Sequence, residues 1–264
     1  MEDQMKLSIS DIQKRIRKVQ EENDIKILYA CESGSRAWGF ESKDSDYDIR
    51  FIYVRPVKDY IAVEQPPDVV EIPGDEVWDM NGWDLTKALK LLVKGNSNLL
   101  EWLHSPIPYI ENPEFCSEML DLVDRSVSAK KLYFSYQGMA RNNYREYLHR
   151  EIVWIKKYLY VLRPLLACHW IEKHNALPPV QFDELVEFGK LSFPYITESI
   201  DALLKMKRAG LEKEMGPKMP QLDRLIETML SKDFEGNCDE KSVSLIELNR
   251  IFQRYVLSQS LELS

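Results

Sequence analysis

Cysteine and histidine are scarce in this chain of 264 residues, which contains four of each. The cysteines form no Cys-x-x-Cys pair and lie far apart, at Cys31, Cys116, Cys168 and Cys238. Zinc sites and disulfide frameworks need paired or clustered cysteines, so the sequence argues against both and favours a reducing cytoplasm. The histidines show no ligand-like grouping with one another.

Long apolar runs are absent as well. The chain begins MEDQMKLSISDIQKRIRKVQ, which is charged and has a helical pattern, unlike a signal peptide. The most apolar later stretch, YLYVLRPLLACHWI, contains Arg163 and Pro164 and is too short to cross a bilayer. We therefore expect a soluble cytoplasmic protein with no membrane partner.

Two common catalytic signatures are missing. GSRAWGF lacks the Gly-Lys-Ser/Thr ending of a P-loop. No Gly-x-Ser-x-Gly turn occurs, and Ser33 and Ser35 have no histidine nearby in the sequence, which argues against serine-nucleophile chemistry.

Acidic residues outnumber basic ones, 43 to 35, and the net charge is −8. This argues against a protein that coats nucleic acid through general positive charge. One stretch is the exception, because nine Lys/Arg and only two acids lie between Arg125 and Arg163, interleaved with aromatic residues. It is either a solvated helix face or a groove for an anionic ligand.

The densest chemistry lies in CESGSRAWGFESKDSDYDIRFIYV, residues 31–54. Tyr47–Val54 has the pattern of a β-strand, so Asp46 and Asp48, two residues apart, should project to the same side. Two adjacent carboxylates repel each other, and one tends to stay protonated unless a cation lies between them. Mg²⁺ prefers such oxygen ligands, usually together with substrate phosphates. The pair therefore indicates a metal–triphosphate site.

The preceding turn could bind the phosphates. Gly34 allows the backbone to approach a ligand closely, and N–H groups at the start of a following helix would face the triphosphate. Ser35 adds a hydroxyl donor, and Arg36 could neutralise phosphate charge.

A Gly-Ser turn followed about a dozen residues later by Asp-x-Asp on a strand resembles the nucleotidyltransferase superfamily that includes DNA polymerase beta. The runs WDMNGWDLTKALKLLVKGNSNLLEWLHSP and KKYLYVLRPLL look more narrowly like the bacterial RNA repair pathway DNA polymerase beta family. The resemblance covers most of residues 25–170. It implies a third carboxylate from a neighbouring strand, for which we choose Asp79. Asp84 is the competitor, although it also fits a helix N-cap, and Glu71 is a more distant candidate.

On a helix predicted from near Arg150, an apolar stripe of Ile152, Ile155, Leu159, Leu162 and Leu166 should face the core. Lys156, Tyr160 and Arg163 form a second stripe. They are either a solvated face or a nucleotide-binding surface, and the resemblance favours the second.

The predicted fold is α+β: a polymerase-beta-like palm, with a small mixed sheet and helices, in residues 1–125, and an all-helical domain in residues 126–264. The implied activity is transfer of a nucleoside monophosphate from an NTP, which we expect to be ATP, with release of pyrophosphate. Asp46, Asp48 and Asp79 would hold two Mg²⁺ ions, or Mn²⁺ in their place. The resemblance implies RNA as acceptor. A small molecule or a protein hydroxyl stays open as the acceptor. A non-catalytic nucleotide sensor or protein-binding module of the same fold stays open as the function.

Overall fold

The computed structural model describes residues 7–42, 45–74, 77–209, 215–237 and 240–262. The chain divides into two compact units. The first consists of the described residues of Met1–Ala37, Asp46–Val127 and Lys241–Ser264, and the second those of Trp38–Ser45 and Ser128–Glu240.

The first unit is built on one five-stranded sheet. Its strands are β1 (Lys26–Glu32), β2 (Tyr47–Val54), β3 (Val69–Ile72), β4 (Trp78–Asp84) and β5 (Pro108–Glu111), in the spatial order β3-β4-β2-β1-β5. Its helices are α1 (Ile9–Glu22), α2 (Gly34–Ala37), α3 (Val57–Tyr60), α4 (Leu85–Val93), α5 (Ser97–Leu103), α6 (Pro113–Ser126) and α12 (Leu245–Glu262). Only the β2–β4 pair is parallel among the pairs of this sheet.

Helix α1 covers one face of the sheet. Ser8 caps it, since its hydroxyl accepts a hydrogen bond from the Asp11 backbone N–H at 3.1 Å. The helix buries Ile12, Ile16 and Val19, which join a core cluster with alternate residues of β2. Because side chains alternate along a strand, the even-numbered residues of β2 are left for the opposite face, where the acidic side chains lie.

The second unit is mainly helical. Its helices are α7 (Ala129–Tyr147), α8 (Lys157–His174), α9 (Phe182–Ser192), α10 (Thr197–Arg208) and α11 (Pro220–Leu230), with a 3-10 turn at Pro194–Ile196. It also contains a two-stranded antiparallel ribbon, β6 (Ile152–Trp154) with β7 (Met215–Pro217).

The α+β class predicted from the sequence is confirmed, with one local correction in the second unit. The helix expected from near Arg150 begins at Lys157, because residues 152–154 pair with a strand some sixty residues later in the chain. Ile152 is consequently exposed and does not belong to an apolar helix stripe. Tertiary pairing has overridden a local helical pattern.

The division into units also differs from the predicted domains 1–125 and 126–264. The first unit continues to Val127, and it includes the described residues after Lys241. Helix α12 packs there through edge-to-face contacts of Phe252 with Tyr60 and of Tyr255 with Phe115, at 5.0 and 5.2 Å between ring centroids.

Candidate active site

The parallel pairing of β2 with β4 brings two of the predicted carboxylates together. Asp48 and Asp79 are direct partners in the ladder, so their side chains lie on the same face. Asp46 immediately precedes β2 and is exposed, two residues from Asp48. An acidic cluster therefore lies at the beginning of two neighbouring strands.

The turn at Gly34 lies directly against Asp48. Gly34 has φ +59°, and a Cβ built on it would lie 2.7 Å from the Asp48 Cγ and closer still to Oδ2. The Ser33 backbone N–H donates to the Asp48 carbonyl at 2.8 Å, which fixes the turn to the strand. Only glycine meets both requirements, a left-handed backbone and room for the neighbouring carboxylate.

The other turn residues lie beside the same strand. Ser35 is buried, whereas the Arg36 Nε donates to the Asp46 carbonyl at 3.0 Å. The Arg36 guanidinium lies 3.9 Å from the centroid of the Tyr47 ring. Helix α2 has four residues, so its dipole can contribute only weakly to anion binding.

A cation that the sequence analysis did not select lies between two of the acids. The Arg50 Nη2 donates to Asp79 Oδ2 at 2.7 Å and to Asp48 Oδ1 at 3.2 Å. Its Nη1 donates to the Asp79 carbonyl at 2.9 Å and to the Ile49 carbonyl at 3.1 Å. Arg50 thereby compensates the negative charge of the cluster. Because side chains alternate along β2, Arg50 lies on the same face as Asp48, which is two residues before it. This alternation could have predicted its position from the sequence.

Burial raises the pKa of Asp48 to about 6. This net value includes a lowering of the pKa by Arg50 and an increase caused by repulsion from Asp46 and Asp79. The Asp48 side chain is 20% exposed and that of Asp79 is 51% exposed, so the two partners differ in their access to water. One acid of the cluster thus holds its proton more tightly than an ordinary aspartate.

A fully buried glutamate, Glu32 at the end of β1, forms hydrogen bonds next to the acidic cluster. The Glu32 Oε1 accepts from the Asp48 backbone N–H at 2.9 Å, and its Oε2 accepts from the Tyr109 hydroxyl at 2.5 Å. Burial raises the pKa of Glu32 to about 7, although these hydrogen bonds lower it. The sequence offered one signal, an acid at the end of the apolar run KILYACE.

The alternative third carboxylates lie elsewhere on the sheet. Asp84 caps α4, accepting from the Thr86 N–H at 2.8 Å, and it also accepts from the Tyr60 hydroxyl at 2.6 Å. It is buried, and these bonds occupy its oxygens. Glu71 is on β3, where its Oε1 accepts from the Asn81 side chain at 3.4 Å. Asp79 is therefore the acid that pairs with Asp48.

The three predicted nucleotide-binding residues of the second domain lie in the second unit. Arg163 is buried within it, its guanidinium 4.4 Å from the centroid of the Trp38 ring and its Nη2 donating to the Val180 carbonyl at 3.1 Å. The Tyr160 ring packs edge-on to Trp38 with 5.9 Å between centroids. Lys156 immediately precedes α8 and is half-buried. The three residues thus have different surroundings, and their nucleotide contact stays a prediction.

The acidic cluster offers donors of the kind that a divalent cation requires. Its carboxylate oxygens are the hard ligands that Mg²⁺ prefers. With Arg50 in place, however, no group of three or more His, Cys, Asp or Glu side chains within the described residues is arranged to hold a metal ion. The chemistry of the donors fits such a cation, provided that Arg50 gives up its contacts.

The comparison with protein families identifies the chain. The model of the RNA repair pathway DNA polymerase beta family matches residues 9–254. The chain belongs to this family. The match spans nearly all of both units, so the resemblance drawn from the Gly-Ser turn and Asp-x-Asp is confirmed.

Two further proteins are similar to this member of the family. The uncharacterized protein YcgL of Bacillus subtilis (strain 168) is 41% identical over 239 residues, which cover 89% of this chain and 92% of YcgL. The alignment with the crystal structure of a nucleotidyltransferase-like protein from Exiguobacterium sibiricum 255-15 covers 96% of this chain and 78% of that protein's chain. That alignment has 13% identity and a TM-score of 0.31, too low to support an argument about the site.

Within the described residues, no helix combines the length and apolar character needed to traverse a lipid bilayer.

Proposed function

We propose that this protein is a metal-dependent nucleotidyltransferase that moves a nucleoside monophosphate from an NTP to a hydroxyl of RNA. The observation that carries the proposal is the register of β2 and β4, which pairs Asp48 with Asp79 and leaves Asp46 beside them. Family membership supports the reaction class, and the phosphates would bind at the glycine turn beside Asp48.

Asp46, Asp48 and Asp79 would hold the cations. The chemistry that two Mg²⁺ ions, or Mn²⁺ ions, supply when bound is neutralisation of the triphosphate and activation of the attacking oxygen. For Asp48 and Asp79 to serve as ligands, Arg50 must release them and Asp48 must be ionised. The Arg50 side chain would then be available to the phosphates, which suit a bidentate guanidinium.

The other residues of the site would bind the phosphates and accept a proton. Gly34, Ser35 and Arg36 would bind the β- and γ-phosphates. Asp79, the more exposed of the paired acids, would help to accept the proton of the attacking hydroxyl. That hydroxyl oxygen forms a bond to the α-phosphorus as the bond from phosphorus to the pyrophosphate oxygen breaks. ATP is the triphosphate that we expect.

The test incubates purified protein with each NTP labelled at the α-phosphate, Mg²⁺ or Mn²⁺, and total cellular RNA or whole lysate. We expect label in RNA, and its loss in Asp48→Asn, which keeps the shape of the side chain but cannot ionise. Glu71→Gln is the matched control, because it removes a carboxylate from the neighbouring strand β3 and should retain transfer.

Circular dichroism checks that both variants are folded. Retained transfer in folded Asp48→Asn would refute the assignment of this carboxylate. Label confined to a small molecule or to a protein would move the acceptor to that class, and no label in any fraction would contradict the proposed reaction.

A further inference from the structure

The second unit contains a cleft of about 350 Å³. It lies where the end of α7, the ribbon and the start of α8 meet. The lining residues are Glu146, Tyr147, Arg150, Ile152, Val153, Trp154, Lys156, Lys157 and Met215. Its volume is at the lower end of the range for small-ligand sites.

The ribbon presents one apolar face. Trp154 pairs with Met215 across the two strands, and Ile152 lies two residues before Trp154, so the three project to the same side. All three are exposed, Trp154 to 42% of its surface, whereas Val153 between them is buried on the opposite side. A large aromatic ring on a short ribbon is thus held open to solvent.

The cleft is also positively charged. Arg150, Lys156 and Lys157 line it with a single acid, Glu146, and within the described part of the chain none of the three cations forms an ion pair. The Lys157 Nζ lies 3.7 Å from the centroid of the Tyr147 ring. Burial and the neighbouring charge of Lys156 lower the pKa of Lys157. An anion between these cations would relieve their repulsion.

From this combination we infer that the cleft binds single-stranded RNA, with one base stacked on Trp154 and the adjacent phosphates against Arg150, Lys156 and Lys157. The inference deepens the proposed function by giving the acceptor a binding site, and it rests on that function for the choice of RNA. A strand of RNA alternates flat bases with anionic phosphates, which matches a solvent-open indole flanked by cations that form no ion pair within the described residues. An acidic peptide would match the cations but would leave the ring without a planar partner.

The test measures binding of a fluorescein-labelled single-stranded RNA of mixed sequence by anisotropy, in EDTA and without triphosphate, over a series of salt concentrations. Trp154→Ala should weaken binding about 5- to 160-fold, the usual loss for one stacked base, and Trp154→Phe should restore most of it. The double variant Lys156→Ala/Lys157→Ala should reduce the slope of log affinity against log salt by about 1.4, the value for two single-strand phosphate contacts.

The same unit provides matched controls. Tyr195→Ala removes another exposed aromatic side chain, and Lys130→Ala/Lys205→Ala removes two other exposed cations. Both should bind RNA as the wild type does.

The outcomes separate this inference from the proposed function. Absence of RNA binding by the wild type at low salt, an unchanged affinity in Trp154→Ala, or equal losses in the control variants would overturn the cleft as an RNA site. Tighter binding of a labelled polyglutamate peptide than of RNA would overturn it in favour of a protein partner. If RNA binds at the cleft but no nucleotide is transferred, the inference stands and the proposed reaction fails.

Discussion

The close approach of Gly34 to Asp48 leads to the sharpest prediction, a loss of activity in Gly34→Ala without a loss of fold. An alanine at φ +59° would cost about 1–2 kcal/mol of stability, the usual penalty for a left-handed L-residue. Its Cβ would also lie 2.7 Å from the Asp48 Cγ, so the carboxylate must move by about 1 Å or turn away. A displacement of that size can reduce a catalysed rate by about 100-fold.

Gly39→Ala is the control for backbone strain. Gly39 has φ +80°, and its added Cβ would meet the movable end of the flexible Gln181 side chain, with Oε1 at 3.0 Å and Cδ at 3.8 Å. Both variants should lose a similar amount of stability in denaturant unfolding, but only Gly34→Ala should lose transfer of labelled nucleotide. Transfer within about threefold of wild type in folded Gly34→Ala, or an equal loss in Gly39→Ala, would refute the reasoning.

Two further predictions concern charge at the same site. Because burial raises the pKa of Glu32 from 4.5 to about 7, Glu32 contributes stability that is complete below pH 4.5 and lost as the pH rises towards 7. In urea unfolding, the free energy of unfolding of Glu32→Gln should equal that of the wild type at low pH and exceed it above pH 7 by up to about 3 kcal/mol. The same pH dependence of this free energy in both proteins would contradict the prediction. Arg50 occupies oxygens of Asp48 and Asp79 that a metal ion would need. Mn²⁺ should therefore raise the melting temperature of Arg50→Gln by more than it raises that of the surface variant Arg17→Gln. An equal or smaller rise in Arg50→Gln would show that the guanidinium does not compete with the metal.

Local pattern was sufficient for much of the first unit. The strand Tyr47–Val54 has the predicted bounds, and the α+β class follows from strands that give way to helices. Asp79 was selected through resemblance, and its position beside Asp48 depends on a parallel pairing of strands separated by a third strand in the sequence. No local period specifies that register.

The remaining features depend on contacts that are distant in sequence. Glu32 is positioned by the Tyr109 hydroxyl and the Asp48 N–H, both far along the chain. The ribbon at Ile152–Trp154 forms because Met215–Pro217 pairs with it, which replaces the first turn of the predicted helix. Arg163 looked like part of a polar stripe, yet Trp38 and the Val180 carbonyl hold it in the interior.

The position of α12 has a consequence for synthesis of the protein. This helix completes the first unit, where Arg254 pairs with Glu118 at 3.0 Å and Arg125 pairs with Glu247 at 2.6 Å. In the chain, however, α12 follows the whole second unit. A ribosome must therefore translate the second unit before the sheet that carries the acids receives α12, so the nascent first unit lacks this helix while the second unit is being made.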